Sequence, residues 1–174
     1  LNISKNKNTL KHQNNYPTIF ISLKDMTKSS YEKQMNRFKE VICLCAKNFL
    51  ELLNSDILLD SEKKLFQKYV DNETEDNELE KSLFNISYFL YKHYHQKVII
   101  LIDEYDVPLQ AAYQYNYYDE MVEFLRSVFS SALKTNDALE KGIMAGCLRI
   151  SKESIFTGLN NFKAYSILYK SKNE

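Results

Sequence analysis

Apolar residues along this chain fall into two alternating regimes, short unbroken runs and longer stretches with a period of three to four. After a polar segment over residues 1–15, YPTIFISL (16–23) enters through Pro17 and is rich in β-branched and aromatic residues, predicting a strand. From Ser29 to Leu53 the positions Tyr31, Met35, Phe38, Ile42, Cys45 and Phe49 recur at helical spacing, predicting one amphipathic helix with Ser30 as its start signal. A shorter helix is expected over 61–70, capped by Asp60 or Ser61. The acidic DNETEDNELE reads as a surface linker into a helix over about 77–95. KVIILID (97–103) shows no alternation, as in a central parallel strand covered on both faces. A helix over 117–134 follows, and GIMAGCLRI gives a third strand over 142–148. Residues 151–161 read as a short helix stopped at GLNN, and AYSILY has no clear type. The rhythm is that of an α/β protein with a parallel sheet and crossovers on both faces. No repeat or internal boundary interrupts it, so 16–174 reads as one unit behind the segment 1–15.

Composition constrains the partners. Twenty-three basic residues balance 23 acidic ones, so no basic excess advertises nucleic acid. No apolar run approaches the roughly 18 residues of a membrane helix, and the polar start is no signal peptide. The expectation is a cytoplasmic protein without a membrane partner, with Cys43, Cys45 and Cys147 reduced and buried. A Cys-x-Cys pair without a second pair makes a poor zinc site. Glycine occurs only at 142, 146 and 158.

Chemistry concentrates where VIILIDEYD (98–106) turns from five aliphatic residues to Asp103, Glu104 and Asp106. Ligand sites of open parallel sheets form at the carboxyl ends of strands. Carboxylates beside an apolar sheet are costly unless a cation, hydrogen bond or substrate compensates them. A hydrated Mg²⁺ is one such partner, taking one or two carboxylates plus phosphate oxygens. Four apolar residues followed by Asp-Glu is the pattern of a Walker B element, whose Asp holds the magnesium's water shell and whose Glu polarises attacking water. Capping of the next helix, with Pro108 in its first turn, suits Asp106 and explains only one carboxylate of the adjacent pair.

Other groupings carry less. The histidines of His93-x-His95 do not share a helix face and read as surface residues. Glu62-x-Lys64 mimics half of a nuclease motif but belongs to the solvated face of a helix. The tyrosines of AAYQYNYYDE lack basic neighbours and read as packing and solvent contacts rather than base-stacking groups. A nuclease using Asp103, Glu104 and Asp106 directly would need a basic surface that zero net charge does not supply.

VIILIDEYDVPL, then a helix, then GIMAGCLRISKESIFTGLNNFKAYSI, resembles the AAA-ATPase-like domain of bacterial proteins that often carry a PD-(D/E)XK-type nuclease domain downstream. The resemblance runs over roughly residues 16–168 and rests on the pairing of LIDEYD-x-P with LRISKESIF-x-GLNN. It implies a P-loop NTPase fold of the additional-strand type, here a partial three-layer sandwich. It implies Asp103 as the metal-side ligand and Glu104 as the catalytic residue of a Walker B pair, with ATP and Mg as cofactors. It also implies a γ-phosphate sensor at the tip of the strand 142–148. Two departures bear on this. There is no G-x-x-x-x-G-K-[ST] and no glycine before Gly142, so the resemblance implies a piece that begins after the phosphate loop. The same comparison implies that the family's last core strand and any nuclease domain lie beyond its end, leaving nucleic acid a partner only through a missing domain. Ala145 stands where such strands usually offer Thr, Ser or Asn, which leaves Arg149 and Ser151 as candidates to meet the nucleotide. Arg149 equally suits a salt bridge with Asp103, Glu104 or Glu153, and Asn160 or Asn161 either a helix stop or a ligand role. The missing phosphate-loop strand would pair with 142–148, so an unpaired apolar edge and a homo-oligomer are expected. The alternative function is a degenerate NTPase that serves as a binding scaffold without hydrolysis.

Overall fold

In the computed structural model, which describes Leu10, residues 12–147, Lys163 and Tyr165, three strands form a parallel sheet. They are β1 (Thr18–Ser22), β2 (Val98–Asp103) and β3 (Leu139–Met144), in the order β1-β2-β3. Six helices flank them: α1 (Tyr31–Ala46), α2 (Asp60–Asp71), α3 (Asp76–Leu79), α4 (Ser82–Tyr94), α5 (Val107–Gln114) and α6 (Tyr118–Leu133). The α/β class and the parallel sheet follow the sequence reading. None of the helices among the described residues is long and apolar enough to cross a membrane.

Local chemistry explains the boundaries. Ser30 caps α1 as expected, its hydroxyl accepting the Lys33 N–H. The helix expected to run to Leu53 ends at Ala46, and 3-10 turns kinked at Phe49 (φ −133°, ψ 37°) occupy Lys47–Asn54. There the Asn48 side-chain amide donates to the Leu44 carbonyl at 3.3 Å, the acceptor a continuing helix would give to a backbone N–H. Helix α2 is capped at Leu59 rather than Asp60 or Ser61, because the Glu62 carboxylate accepts the Leu59 N–H at 2.8 Å. The third strand spans Leu139–Met144 rather than 142–148. Glu140 and Lys141 lie inside it, exposed on a strand that pairs on one side only among the described residues, where charge is tolerated.

The core lies on one face of the sheet. Ile19 and Ile21 of β1 and Val98, Ile100 and Ile102 of β2, all at most 2% exposed, meet the apolar faces of the helices. Phe38 of α1 packs edge to face on Phe124 of α6 (centroids 5.1 Å), and Phe66 of α2 on Phe89 of α4 (6.4 Å). Among the described residues the opposite face is open. Phe20, Leu101 and Ile143 share one register row across the three strands, and Phe20 is 56% and Ile143 47% exposed. The expectations of crossovers on both faces and of a β2 covered on both faces therefore hold for one face among the described residues. The strand order supplies the reason: two successive steps in the same direction, made by connections of the same hand, put both sets of helices on the same side.

Candidate functional site at the carboxyl end of the sheet

All three strands deliver their carboxyl ends to one edge of the molecule, and polar groups begin there. In β1 and β2 the alternation assigns Phe20, Ser22, Leu101 and Asp103 to the open face. Ser22 and Asp103 are register partners, so a hydroxyl and a carboxylate end two adjacent strands on the same side. Asp103 keeps its place in the ladder, its carbonyl accepting the Leu23 N–H at 3.0 Å.

The chain then turns sharply. Asp103 Oδ1 accepts the Glu104 N–H at 3.0 Å, and Glu104 adopts a left-handed backbone (φ 53°). That conformation costs an L-residue with a Cβ about 1–2 kcal/mol, and glycine is its usual occupant. A glutamate held there in a half-buried setting is a local conflict of the kind that gathers at ligand and catalytic sites. The carbonyl of Glu104 accepts the Val107 N–H at 3.1 Å, closing the turn into α5.

The tip of β3 lies directly beside this turn. Ala145 donates its N–H to the Ile102 carbonyl (2.9 Å) and accepts the Tyr105 N–H (3.2 Å), carrying the β2–β3 pairing past the last strand residue. The expected neighbourhood of Asp103, Glu104 and the third strand's tip is therefore present. Arg149 and Ser151, the other two expected site residues, lie outside the described residues, as do GLNN, the helix 151–161 and all of AYSILY but Tyr165.

Beneath the site, the loop after β1 is pinned by buried side chains. Gln34, fully buried on α1, donates to the Met26 carbonyl (2.6 Å) and accepts the Lys28 N–H (2.9 Å). The Tyr117 hydroxyl donates to the Lys28 carbonyl at 2.5 Å. Burial pushes the Tyr117 hydroxyl above its ordinary pKa, so it stays a donor.

Several sequence readings change. Asp106 stands at the N-cap of α5, but its carboxylate makes no capping bond to the helix backbone. It is 1% exposed and accepts instead from Gln110 Nε2 (2.9 Å) and from the Cys147 N–H (3.3 Å). A helix capped by backbone geometry, with Pro108 in its first turn, leaves that side chain available for a tertiary role. Cys147, expected buried, is exposed, whereas Cys43 and Cys45 are buried and burial pushes the Cys45 thiol up to about 12. His93 is half-buried, its Nδ1 2.9 Å from Ser55 Oγ. Glu62 joins no solvated face but pairs with Lys92 at 2.7 Å, tying α2 to α4. The tyrosines divide as expected between solvent (Tyr113, Tyr115) and packing (Tyr117, with Tyr118 half-buried).

A family model described as "Predicted AAA-ATPase" matches residues 1–156. The chain belongs to this AAA-ATPase-like family. No curated protein matches it, and no solved structure does. Such a family uses a nucleotide with magnesium in general, and the donors at the β2 tip suit that pairing. The described residues hold no group of three or more His, Cys, Asp and Glu side chains able to cage a metal alone. Magnesium needs no such cage, since water and phosphate complete its shell. Sequence reasoning missed Ser22 and Gln34. The hydroxyl that ends the apolar run TIFIS was the available signal for Ser22; nothing local marked Gln34.

Proposed function

We propose that the carboxyl end of β2 is the hydrolytic centre of an ATPase, with Asp103 holding a magnesium ion's water shell and Glu104 acting as general base. Bound magnesium would supply charge neutralisation along the phosphates. The remaining work belongs to this chain's residues. Asp103, fixed by its backbone bond to Leu23, presents a carboxylate beside Ser22 at the end of a rigid strand. Glu104, turned out of the strand line, would accept a proton from the attacking water, a role that typically contributes about 10²- to 10⁴-fold in rate. Tyr105 and Val107 anchor the turn through their amides. The open face leads directly to Asp103, so a segment covering Phe20, Leu101 and Ile143 would flank the phosphates. The observation that carries this reading is the left-handed glutamate: folding alone favours glycine at that place, and chemistry gives a reason for a carboxylate.

Hydrolysis also needs a glycine-lysine loop to cradle the phosphates, and no such motif occurs in these 174 residues. The reading therefore concerns a protein in which such a loop reaches this tip, with Arg149 and Ser151 as further nucleotide-facing candidates. The exposed apolar row of Phe20 and Ile143 supports a second reading, a scaffold that contacts partners, or further copies of itself, without turnover. One experiment separates them. In a protein carrying this domain together with such a loop, Glu104→Gln should reduce ATP hydrolysis by roughly 10²-fold or more while nucleotide binding persists. Equal hydrolysis by the variant and the wild type would overturn the ATPase assignment, and absence of turnover in both would leave the scaffold.

A further inference from the structure

We infer that Asp106 is a positioning residue that locks the loop leaving β3 onto the β2–α5 turn, and so fixes where Glu104 stands relative to the tip of β3. The link to Glu104 chemistry rests on the ATPase reading above; the lock itself does not.

Four observations converge on the lock. Asp106 is 1% exposed, and its carboxylate makes no capping bond to the backbone of the helix it precedes. Its Oδ1 accepts the Cys147 N–H at 3.3 Å, a bond spanning 41 residues of sequence, while Oδ2 accepts from Gln110 Nε2. Gln110 lies one turn further along α5, so it holds the carboxylate against rotation. Between the two anchoring points sits Gly146. A Cβ placed there would come within 2.5 Å of Asp106 Oδ1 and 2.8 Å of the Tyr105 ring, so the position admits glycine only if the carboxylate and ring stay where they are. The Tyr105 ring thus closes over the loop, and burial, with the Asp106 carboxylate second, raises its hydroxyl pKa.

The consequence is a fixed distance between two strand tips. Ladder bonds from Ala145 end at Tyr105 N–H, leaving the loop beyond to be held by Asp106. Glu104 lies between Asp103, set by the ladder, and Asp106, set by Cys147. A residue in a strained left-handed turn keeps that geometry only when both sides are fixed. Loss of the Asp106 contact would free one side.

The test uses amide hydrogen exchange on this chain and kinetics on a protein that also carries the glycine-lysine loop. Asp106→Ala and Gly146→Ala should speed exchange at residues 145–147 by about tenfold or more, the scale of one lost bond to a charged acceptor. Ile19 to Ile21 and Ile100 should exchange as before. Asp106→Asn keeps an acceptor toward Cys147, and Gln110 can turn its amide to match, so this variant should stay near the wild type. In the kinetic arm, Asp106→Ala should lower kcat by about 10- to 100-fold with KM for ATP little changed, and Asp106→Asn should restore most of it. Unchanged exchange at 145–147, or an equal rise throughout the sheet, would overturn the lock. Faster local exchange with kcat intact would overturn the positioning role. Should Glu104→Gln hydrolyse like the wild type, the ATPase reading fails, and the exchange data still decide whether Asp106 holds the loop.

Discussion

The two faces of the sheet obey different rules. On the packed face, Ile19, Ile21, Val98, Ile100 and Ile102 are sealed under helices that contribute aromatic and aliphatic side chains to a single cluster. On the open face, the same strands carry Thr18, Phe20, Leu101 and Ile143, half-buried or exposed, and the row ends in Ser22 and Asp103. One face supplies stability and the other leads to the polar edge where Glu104 turns. A strand buried on a single side can thus carry an apolar run without alternation, since its second apolar set waits for a covering layer. An unbroken hydrophobic run therefore does not require that the described residues cover both faces of its strand.

Adjacent residues of β2 offer the sharpest way to break that contrast. Ile100→Ala should cost about 2–5 kcal/mol, as for large-to-small changes in a sealed core. Leu101→Ala, one residue along on the half-buried side, should cost roughly 1 kcal/mol or less by the area it removes from water. Chemical denaturation of both variants checks this, and equal losses would mean that the faces do not differ energetically. A smaller effect concerns the helical layer alone. The hydrogen bond from Lys68, first among the causes, holds Glu78 below its ordinary carboxylate value of 4.5. A depressed value in the folded state means stabilisation present above the unfolded value and lost as pH falls through the folded one. The stability difference between wild type and Glu78→Gln should therefore shrink on acidification below about pH 4.5. Urea unfolding across that range measures it, and a difference that grows toward acid would contradict the assignment.

Much of this arrangement was legible in the sequence because it follows from local rules. The periods marked most elements, the strand expected over 97–103 lies at Val98–Asp103, and the family resemblance pointed to the third strand's tip beside the Asp103–Glu104 pair. What escaped was tertiary. The end of α1 depends on a side-chain amide taking a carbonyl, and the start of β3 on an edge tolerating Glu140 and Lys141. Asp106 looked like a cap because caps are local, whereas its partner Cys147 lies across the fold. Glu104's left-handed turn has no sequence signal either, since the residue found there is not the one the backbone favours.

On the proposed ATPase reading, Glu104 is kept at the β2 tip for chemistry and against backbone preference. The most direct measurement of this claim is the unfolding free energy of Glu104→Gly in this chain. Relief of the left-handed conformation should make the variant about 1 kcal/mol more stable than the wild type. A variant clearly less stable would show that the glutamate serves the fold, and would contradict the claim.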